Sequence, residues 1–443
     1  MNRVMSRLIT RSLIRLGEGI YPEWGVADTM SSELWIAGAV FVVTYALISL
    51  RRLPWIEVTT WQASLFGAVL MLVVGAVSFD LIPEYVNTDI LLLLLGMMLL
   101  VAALDVCGFF DIAAGLLMRC SISGRMLLGS VMLLSAVLSA LVLNDAVVLL
   151  MTPAVIRCCQ KAGCDPIPYL IAVFVSANIG SAATVIGNPQ NAYIATSADI
   201  GFLTFSQYMV PLSLICLALS YLILLLLFGK RIEPEHPDVH REPLRYDRRL
   251  YPVLAIMAVM IVLFAASHAL GIPLWSIALV GGLLSYAIVA TKGRNAIIRV
   301  VTRVDWGVLL FFIGLFIVMG GAVESGLLDV LTDAIPGFSD GSPSIGGMTV
   351  VTTILSNLIS NVPCVILLDN MIPAGDLGLW LTLSAVSTLA GNMTMIGAAA
   401  NVIVSEEAEK VSIRIDFWKF LKIGIPVSLI TIFVTYVYLT LLF

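Results

Sequence analysis

Long apolar runs dominate this chain, and four of them are broken near the middle by Gly, Pro or amide residues. A bilayer-spanning helix needs about 20 predominantly apolar residues. Runs of that kind occur at about 34–50, 61–81, 88–107, 126–157, 165–196, 206–228, 251–269, 273–291, 305–323, 345–371, 379–404 and 421–442. Segments 126–157 and 345–371 are too long for one span and carry polar residues in the middle, whereas 165–196 and 379–404 are interrupted. Non-helical backbone at membrane depth is tolerated only where protein buries it or where it lines a cavity. The interruptions therefore mark the interior of the molecule.

Composition agrees. Of 443 residues, 60% are hydrophobic and 12% charged, about half the charge of a soluble domain. A soluble enzyme, a disordered protein and a nucleic-acid binder are excluded, and the lipid bilayer is the expected surroundings. The chain has no G-x-x-x-x-G-K-[ST] motif, so it is not itself an ATP-driven pump, although a soluble ATPase partner stays open. No nucleophile, metal cluster or acid–base pair converges, so no enzyme and no bound cofactor are expected. His236, His240 and His268 lie in loops and form no metal motif. Cys158-Cys159-x4-Cys164 reads either as inert helix-end thiols or as ligands for a soft metal or As(III).

The two overlong segments read as re-entrant hairpins, each returning to the side it entered from. About ten true spans remain. Twenty of the 24 Lys and Arg residues then share one side, in loops 51–60, 229–250, 292–304 and 405–422 and beside the first hairpin. The positive-inside rule makes that side cytoplasmic, which places the protein in a cytoplasmic (inner) membrane. The other four, Arg3, Arg7, Arg11 and Arg15, form a basic stripe in the tail 1–33. The tail reads as an interfacial helix or as sequence ahead of a true start at Met30.

The chain also repeats itself. Ser139-x4-Asn144 matches Ser356-x4-Asn361 at an offset of 217, and Thr184-x-Ile186-Gly187-x3-Asn191 matches Thr394-x-Ile396-Gly397-x3-Asn401 at 210. Gly96, Gly108 and Asp111 match Gly314, Gly326 and Asp329 at 218. The halves are 34–228 and 251–443, joined by linker 229–250. Five spans per half turn the second half upside down, and inverted repeats with discontinuous helices are the mark of secondary transporters.

The candidate binding residues are polar groups that such breaks place at mid-depth. At the hairpins they are Ser139, Asn144, Asp145, Ser356, Ser360 and Asn361. In the broken spans they are Asn178, Ser181, Thr184, Asn188, Gln190, Asn191, Asn392, Thr394 and Asn401. Carbonyl ends suit a cation and helix N-termini suit an anion, so a Na+ site near Asn144 and Asn361 is one reading. Helix capping by each Asn is the other. Asp145 is the only ionisable residue at a hairpin tip and is a candidate proton carrier. Asp105, Glu324 and Asp369 are weaker candidates because they fall near span ends.

These motifs resemble the ion transporter superfamily. The likeness is carried by Asn144-Asp145-x6-Thr152-Pro153, Ile186-Gly187-Asn188-Pro189-Gln190-Asn191, Asp305-Trp306 with Gly320-Gly321, Ser360-Asn361-Val362-Pro363, and Gly391-Asn392-x-Thr394. That group includes arsenite permeases, citrate-transporter-like permeases, divalent-anion symporters and some sodium/proton antiporters. The resemblance implies a scaffold domain that forms a homodimer and a transport domain that moves as an elevator. The expectation is an all-α polytopic membrane protein that transports a small anion or oxyanion. Its substrate is arsenite-like or a di/tricarboxylate, with Na+ or H+ as coupling ion. Sodium/proton antiport through Asp145 is the alternative, and a passive channel a remote one.

Overall fold

In the computed structural model, residues 26–50, 52–53, 56–119, 123–232, 246–328, 330, 343–373, 375–395 and 397–443 are described. The arginine stripe of the tail, most of the linker, His236, His240, Cys120 and Ile396 lie outside them. Apart from a ribbon of two-residue strands, β1 (Arg52–Leu53) and β2 (Ile56–Glu57), the described regular structure is helical.

Helix α1 (Val26–Leu50) begins eight residues before the apolar run starts, because no Gly or Pro lies between Val26 and Leu34 to stop it. Then come α2 (Thr60–Val73), α3 (Ile82–Tyr85), α4 (Thr88–Val106) and α5 (Phe109–Arg119). The first hairpin is α6 (Gly124–Leu141) and α7 (Asn144–Ala162). The first broken helix is α8 (Pro166–Ser181) and α9 (Pro189–Ser197), followed by α10 (Phe202–Phe228). The second half runs α11 (Leu250–Leu270), α12 (Leu274–Ala290), α13 (Arg294–Arg303) and α14 (Trp306–Glu324). The second hairpin is α15 (Ile345–Ile359) and α16 (Asn361–Leu368). The second broken helix is α17 (Leu377–Ala390) and α18 (Ala399–Glu409), and α19 (Phe417–Leu442) ends the chain.

Two of these helices correct the sequence reading, which took 108–125 and 292–304 as connections. Their apolar residues are spaced for one helical face, so they fold as short amphipathic helices without lengthening any apolar run. Eight starts are set by side chains that accept a backbone N–H, a general stabiliser of helix N-termini. Asn87, Ser123, Asp165, Asn188, Asp305, Ser344, Asp376 and Asp416 each do so.

Six stretches among the described residues are long and apolar enough to cross a membrane: 88–106, 124–141, 202–228, 250–270, 294–324 and 417–442. Leu226, Val262 and Leu441 stand exposed on the outer faces of α10, α11 and α19. An all-round apolar surface of this kind suits lipid rather than water.

The halves interlock. Helix α2 packs along α14, and α12 along α4. The second crossing is close: a Cβ on Gly96 would sit 2.3 Å from the Ala278 carbonyl carbon, and one on Gly282 would sit 2.2 Å from the Gly96 oxygen. In the first crossing Gly314 abuts the Ser64 backbone, and 64 and 314 match 282 and 96 at the repeat offset of 218. The hairpins and broken helices interlock likewise, with α9 on α16 and α18 on α7. After the linker, Asp247 is held between Lys292 at 2.8 Å and Arg249 at 3.4 Å. The Lys292 hydrogen bond is the main reason its carboxyl is lowered to about 2.

Gly96→Ala is expected to lower stability by about 1–3 kcal/mol through overpacking. Gly38→Ala, whose added methyl would make an ordinary 3.6 Å contact with Leu327, is expected to be near neutral. Thermal unfolding of both variants in detergent checks this.

Candidate functional site

The two broken helices unwind at 182–188 and after Gly391, leaving carbonyls with no helical partner. The same device closes both. Asn191 Nδ2 reaches back to the carbonyls of Ser181 and Thr184, each at 3.0 Å. Asn401 Nδ2 reaches back to Gly391 at 2.6 Å and Thr394 at 2.9 Å. Each unwound segment is also tied to the hairpin of its own half. Thr184 Oγ1 donates to the Ala140 carbonyl at 2.6 Å, and Thr394 Oγ1 to Asn357 Oδ1 at 3.0 Å. Positions 140 and 357 correspond at the repeat offset of 217.

The amide chain then crosses between halves. Asn144 Nδ2 donates to Asn178 Oδ1 at 2.7 Å. Asn178 Nδ2 donates onward to Asn392 Oδ1 at 2.7 Å and Asn401 Oδ1 at 3.1 Å. From the other side, Ser384 Oγ donates to Asn191 Oδ1 at 2.7 Å. Thr388 Oγ1 accepts from Asn188 and Gln190, each at 3.2 Å. A satisfied network of this kind rigidifies a low-dielectric interior, whereas a half-satisfied one is costly. Asn392 Nδ2 finds no hydrogen-bond partner among the described residues.

The hairpin tips close onto the same place. The Asn144 backbone N–H donates to the Gly187 carbonyl at 2.9 Å, and Ser139 Oγ to Asn144 Oδ1 at 3.4 Å. With the Asn361 amide turned to satisfy both its ends, its Nδ2 donates to Gly397 O and Ser387 O at 2.9 Å and to Ser356 Oγ at 2.7 Å. Gly187 and Gly397 correspond at the offset of 210. The second tip is a one-residue break at Ser360, which holds φ 74° and ψ 164°. That backbone region is nearly confined to Gly and costs about 1–3 kcal/mol elsewhere.

A cavity of ≈ 110 Å³ lies where the N-termini of α7, α9, α16 and α18 converge. Asn144, Asp145, Asn188, Gln190, Ser360 and Asn361 line it on that side, and Ile48, Thr60, Val308, Phe311 and Phe312 face them from α1, α2 and α14. A second cavity of ≈ 100 Å³ shares Asp145, Pro189 and Val308 with the first and adds Arg303 and Asp305. Arg303 is paired with Asp105.

The structure thus divides the fifteen sequence candidates. Asn144, Asp145, Asn188, Gln190, Ser360 and Asn361 reach the cavity. Ser139, Asn178, Ser181, Thr184, Asn191, Ser356, Asn392, Thr394 and Asn401 form the wall behind it, most of them fully buried. Sequence reasoning missed Ser384, Thr388 and Asn357. Thr388 was within reach, because the offset of 210 places it opposite Asn178. Oxygen donors for a cation exist at Asn144 Oδ1, which receives only the long Ser139 bond and so keeps a lone pair available. Glu324 is bonded to Tyr85 and Asp369 to Tyr193. Cys158, Cys159 and Cys164 do not form a metal site, since no group of three His, Cys, Asp or Glu among the described residues is placed to hold one.

Three comparisons bear on the fold and family. Residues 45–384 match the family model described as "Citrate transporter". An uncharacterized transporter of Mycobacterium tuberculosis (strain CDC 1551 / Oshkosh) is 30% identical, with 92% of this chain and 98% of that protein aligned. The silicon efflux transporter LSI3 of Oryza sativa subsp. japonica is 28% identical over 88% of this chain and 94% of its own length. Among solved structures, the YdaH transporter of Alcanivorax borkumensis, described as having an unusual topology, superposes with a TM-score of 0.57. It covers 93% of this chain and 97% of its own at 15% identity, which shows a shared fold.

Two stability predictions follow from the wall and the tip. Asn191→Ala and Asn401→Ala each leave two buried carbonyls unpaired and are expected to cost about 1–3 kcal/mol. Ser360→Gly relieves the strained φ and is expected to stabilise by about 1 kcal/mol. Thermal unfolding of the three purified variants checks both signs.

Proposed function

Because this chain belongs to the citrate transporter family and is an integral, multi-pass membrane protein, we propose that it carries a small, oxygen-rich, uncharged acid of the silicic or arsenous kind. The observation that supports this reading is the cavity between the hairpin tips. Four helix N-termini and four side-chain amides face it, with one carboxylate and no Lys or Arg among its described lining residues.

Each helix N-terminus contributes roughly half a positive charge, and part of that is spent on Asp145 itself, in the first turn of α7. A citrate trianion would need more positive charge than remains. An undissociated acid needs hydrogen-bond donors and acceptors instead. Its hydroxyls can donate to the amide oxygens and Asp145, and its oxygens can accept from amide and backbone N–H groups. Silicic and arsenous acids are undissociated at neutral pH. A relative at 28% identity bears the name of a silicon efflux transporter, which favours the same class.

An uncharged substrate feels no membrane potential, so moving it against a gradient requires a coupled H+ or Na+. In the proposed mechanism the unit of α6–α9 and α15–α18 slides as an elevator against α1, α2 and α14. The side chains of Ile48, Val308, Phe311 and Phe312 give that seam a largely apolar surface at the cavity, and the Ser49 hydroxyl, which donates to the Leu358 carbonyl at 2.7 Å, would exchange partners as the unit slides. Re-entrant hairpins in inverted halves, a homodimer and basic loops on the cytoplasmic side of an inner membrane complete the proposal. A second reading, cation/proton antiport, is favoured by one observation: Asp145 lines both cavities.

Thermal-shift titration of the purified chain separates these readings, since a ligand that binds only the folded state raises its apparent stability. Silicic or arsenous acid is expected to raise the midpoint, and citrate, succinate and sulfate are not. Asn144→Ala and Asn361→Ala are expected to weaken binding about tenfold, or 1.4 kcal/mol. A sodium-dependent shift with citrate would sink the uncharged-acid reading. A shift with sodium or pH alone, lost in Asp145→Asn, would install the antiporter.

A further inference from the structure

Helices α9 and α16 each have one end at the cavity and share a second contact away from it. Asn188, Pro189 and Gln190 open α9 at the cavity, and Tyr193 follows one turn later. Asn361 opens α16 at the cavity, and Asp369 follows its last residue, about 12 Å away at 1.5 Å per residue. The Tyr193 hydroxyl donates to Asp369 Oδ2, and Asn370 Nδ2 to Asp369 Oδ1 at 2.7 Å. This pair bridges the two halves of the chain inside the unit that holds the cavity.

The same pair sits on the seam with the surrounding helices. The Tyr193 ring stacks on Phe316 of α14 with centroids 5.9 Å apart. Tyr45 of α1 also faces Asp369, and its hydroxyl donates to Met319 Sδ at 3.3 Å. The ionisable groups around the carboxyl are therefore Tyr193 on α9, Tyr45 on α1 and Cys364 on α16. Helices α15 and α17 bring no ionisable side chain, and the one on α14, Glu324, is bonded to Tyr85. No Lys, Arg or His among the described residues forms an ion pair with Asp369.

We propose that Asp369 is the proton-binding site of this transporter, and that its carboxyl must be neutral for the substrate-loaded α9–α16 unit to slide past α1 and α14. A carboxylate on an apolar seam without a paired cation is expensive, and protonation removes that cost. The cycle balances as one H+ bound to Asp369 Oδ1 or Oδ2 from one side together with the substrate and released with it to the other, the empty unit returning with the carboxylate held by the Tyr193 hydroxyl. The inference deepens the transport reading above and rests on it for the coupled flux. The carboxyl itself supports the assignment. Asp369 is half-buried beside the buried rings of Tyr45 and Tyr193. The Tyr193 hydroxyl donates to it and so favours the charged form.

Acid favours the neutral carboxyl and so movement of the loaded unit, whereas alkali favours the charged form and slows it. Removing the Tyr193 hydroxyl removes a bond to the charged form, so Tyr193→Phe moves the midpoint upward. Infrared difference spectra of the whole reconstituted chain, recorded between pH 5 and 9 without any substrate, read the carbonyl band of the protonated acid. We expect a band that titrates within this range, disappears in Asp369→Asn and titrates at higher pH in Tyr193→Phe. In parallel, silicic acid flux is measured in proteoliposomes. Asp369→Asn is expected to keep substrate exchange within about threefold of wild type and to lose acceleration by a pH gradient. A wild-type band that persists in Asp369→Asn, or gradient-driven flux that survives that substitution, overturns the assignment. Wild-type protein with the titrating band but no silicic acid flux retains the proton site and rejects the substrate class.

Discussion

Backbone that leaves the helix inside a membrane protein must still find hydrogen-bond partners, and the rest of this structure is arranged around that requirement. Two helices unwind in the interior, and each is closed by one asparagine that donates twice to carbonyls seven and ten residues behind it. An apolar side chain cannot do this, and a charged one would cost more to bury than the bonds return. Asparagine is neutral, short and both donor and acceptor. Once Asn191 and Asn401 are spent on the backbone, their oxygens need donors, and the opposite half supplies them through Ser384 and Asn178. The local repair of each broken helix is thereby what joins the two halves.

That division explains why the cavity is polar without being charged. The wall amides bond mainly to each other and to the backbone, with Asn392 Nδ2 the exception among the described residues, while Asn144, Asn188, Gln190 and Asn361 at the helix starts line the cavity. Four N-termini deliver backbone N–H groups to one place without any Lys or Arg. The positive ends are offset by Asp145 at the start of α7, and in the adjoining cavity Asp305 stands with Arg303, whose charge is met by Asp105. Selectivity in such a site comes from the pattern of donors and acceptors, which charge alone does not set.

Much of this was legible in the sequence, for identifiable reasons. The apolar runs mark most spans, since lipid-facing helices such as α10 and α19 have no other way to be stable. The paired Ser-x4-Asn and Thr-x-Ile-Gly-x3-Asn motifs mark the tips and breaks, since only a few residue types can close unwound backbone. What stayed hidden follows from the same physics. Ser384, Thr388 and Asn357 sit inside helices, where a hydroxyl or amide looks unremarkable until its distant partner is known, 193 and 198 residues away for Ser384 and Thr388 and 37 for Asn357. The amphipathic α5 and α13 add no apolar length, so they read as loops. Asp369 seemed weak because it falls near the end of an apolar segment. Distance along the segment says nothing about enclosure by Tyr193 and Tyr45, which come from elsewhere in the chain.

The seam imposes the last constraint. If one unit moves against another, every strong bond across their boundary must be remade at each cycle, and each would add its full cost to the barrier. The described lining supplied by α1 and α14 is accordingly Ile48, Val308, Phe311 and Phe312, which make non-directional contacts that survive sliding. The amide chain through Asn144, Asn178, Asn392 and Asn401 stays within the unit, starting and ending on hairpin and broken-helix residues, whereas the Ser49 bond to the Leu358 carbonyl crosses the boundary and would be remade at each stroke. Asp369 departs from that pattern, an ionisable group on the boundary itself, bonded within the unit to Tyr193 and facing Tyr45 outside it. A single titratable group placed there changes the cost of sliding without changing the cavity. Substrate recognition and proton coupling can then share one rigid unit and still be set by different residues.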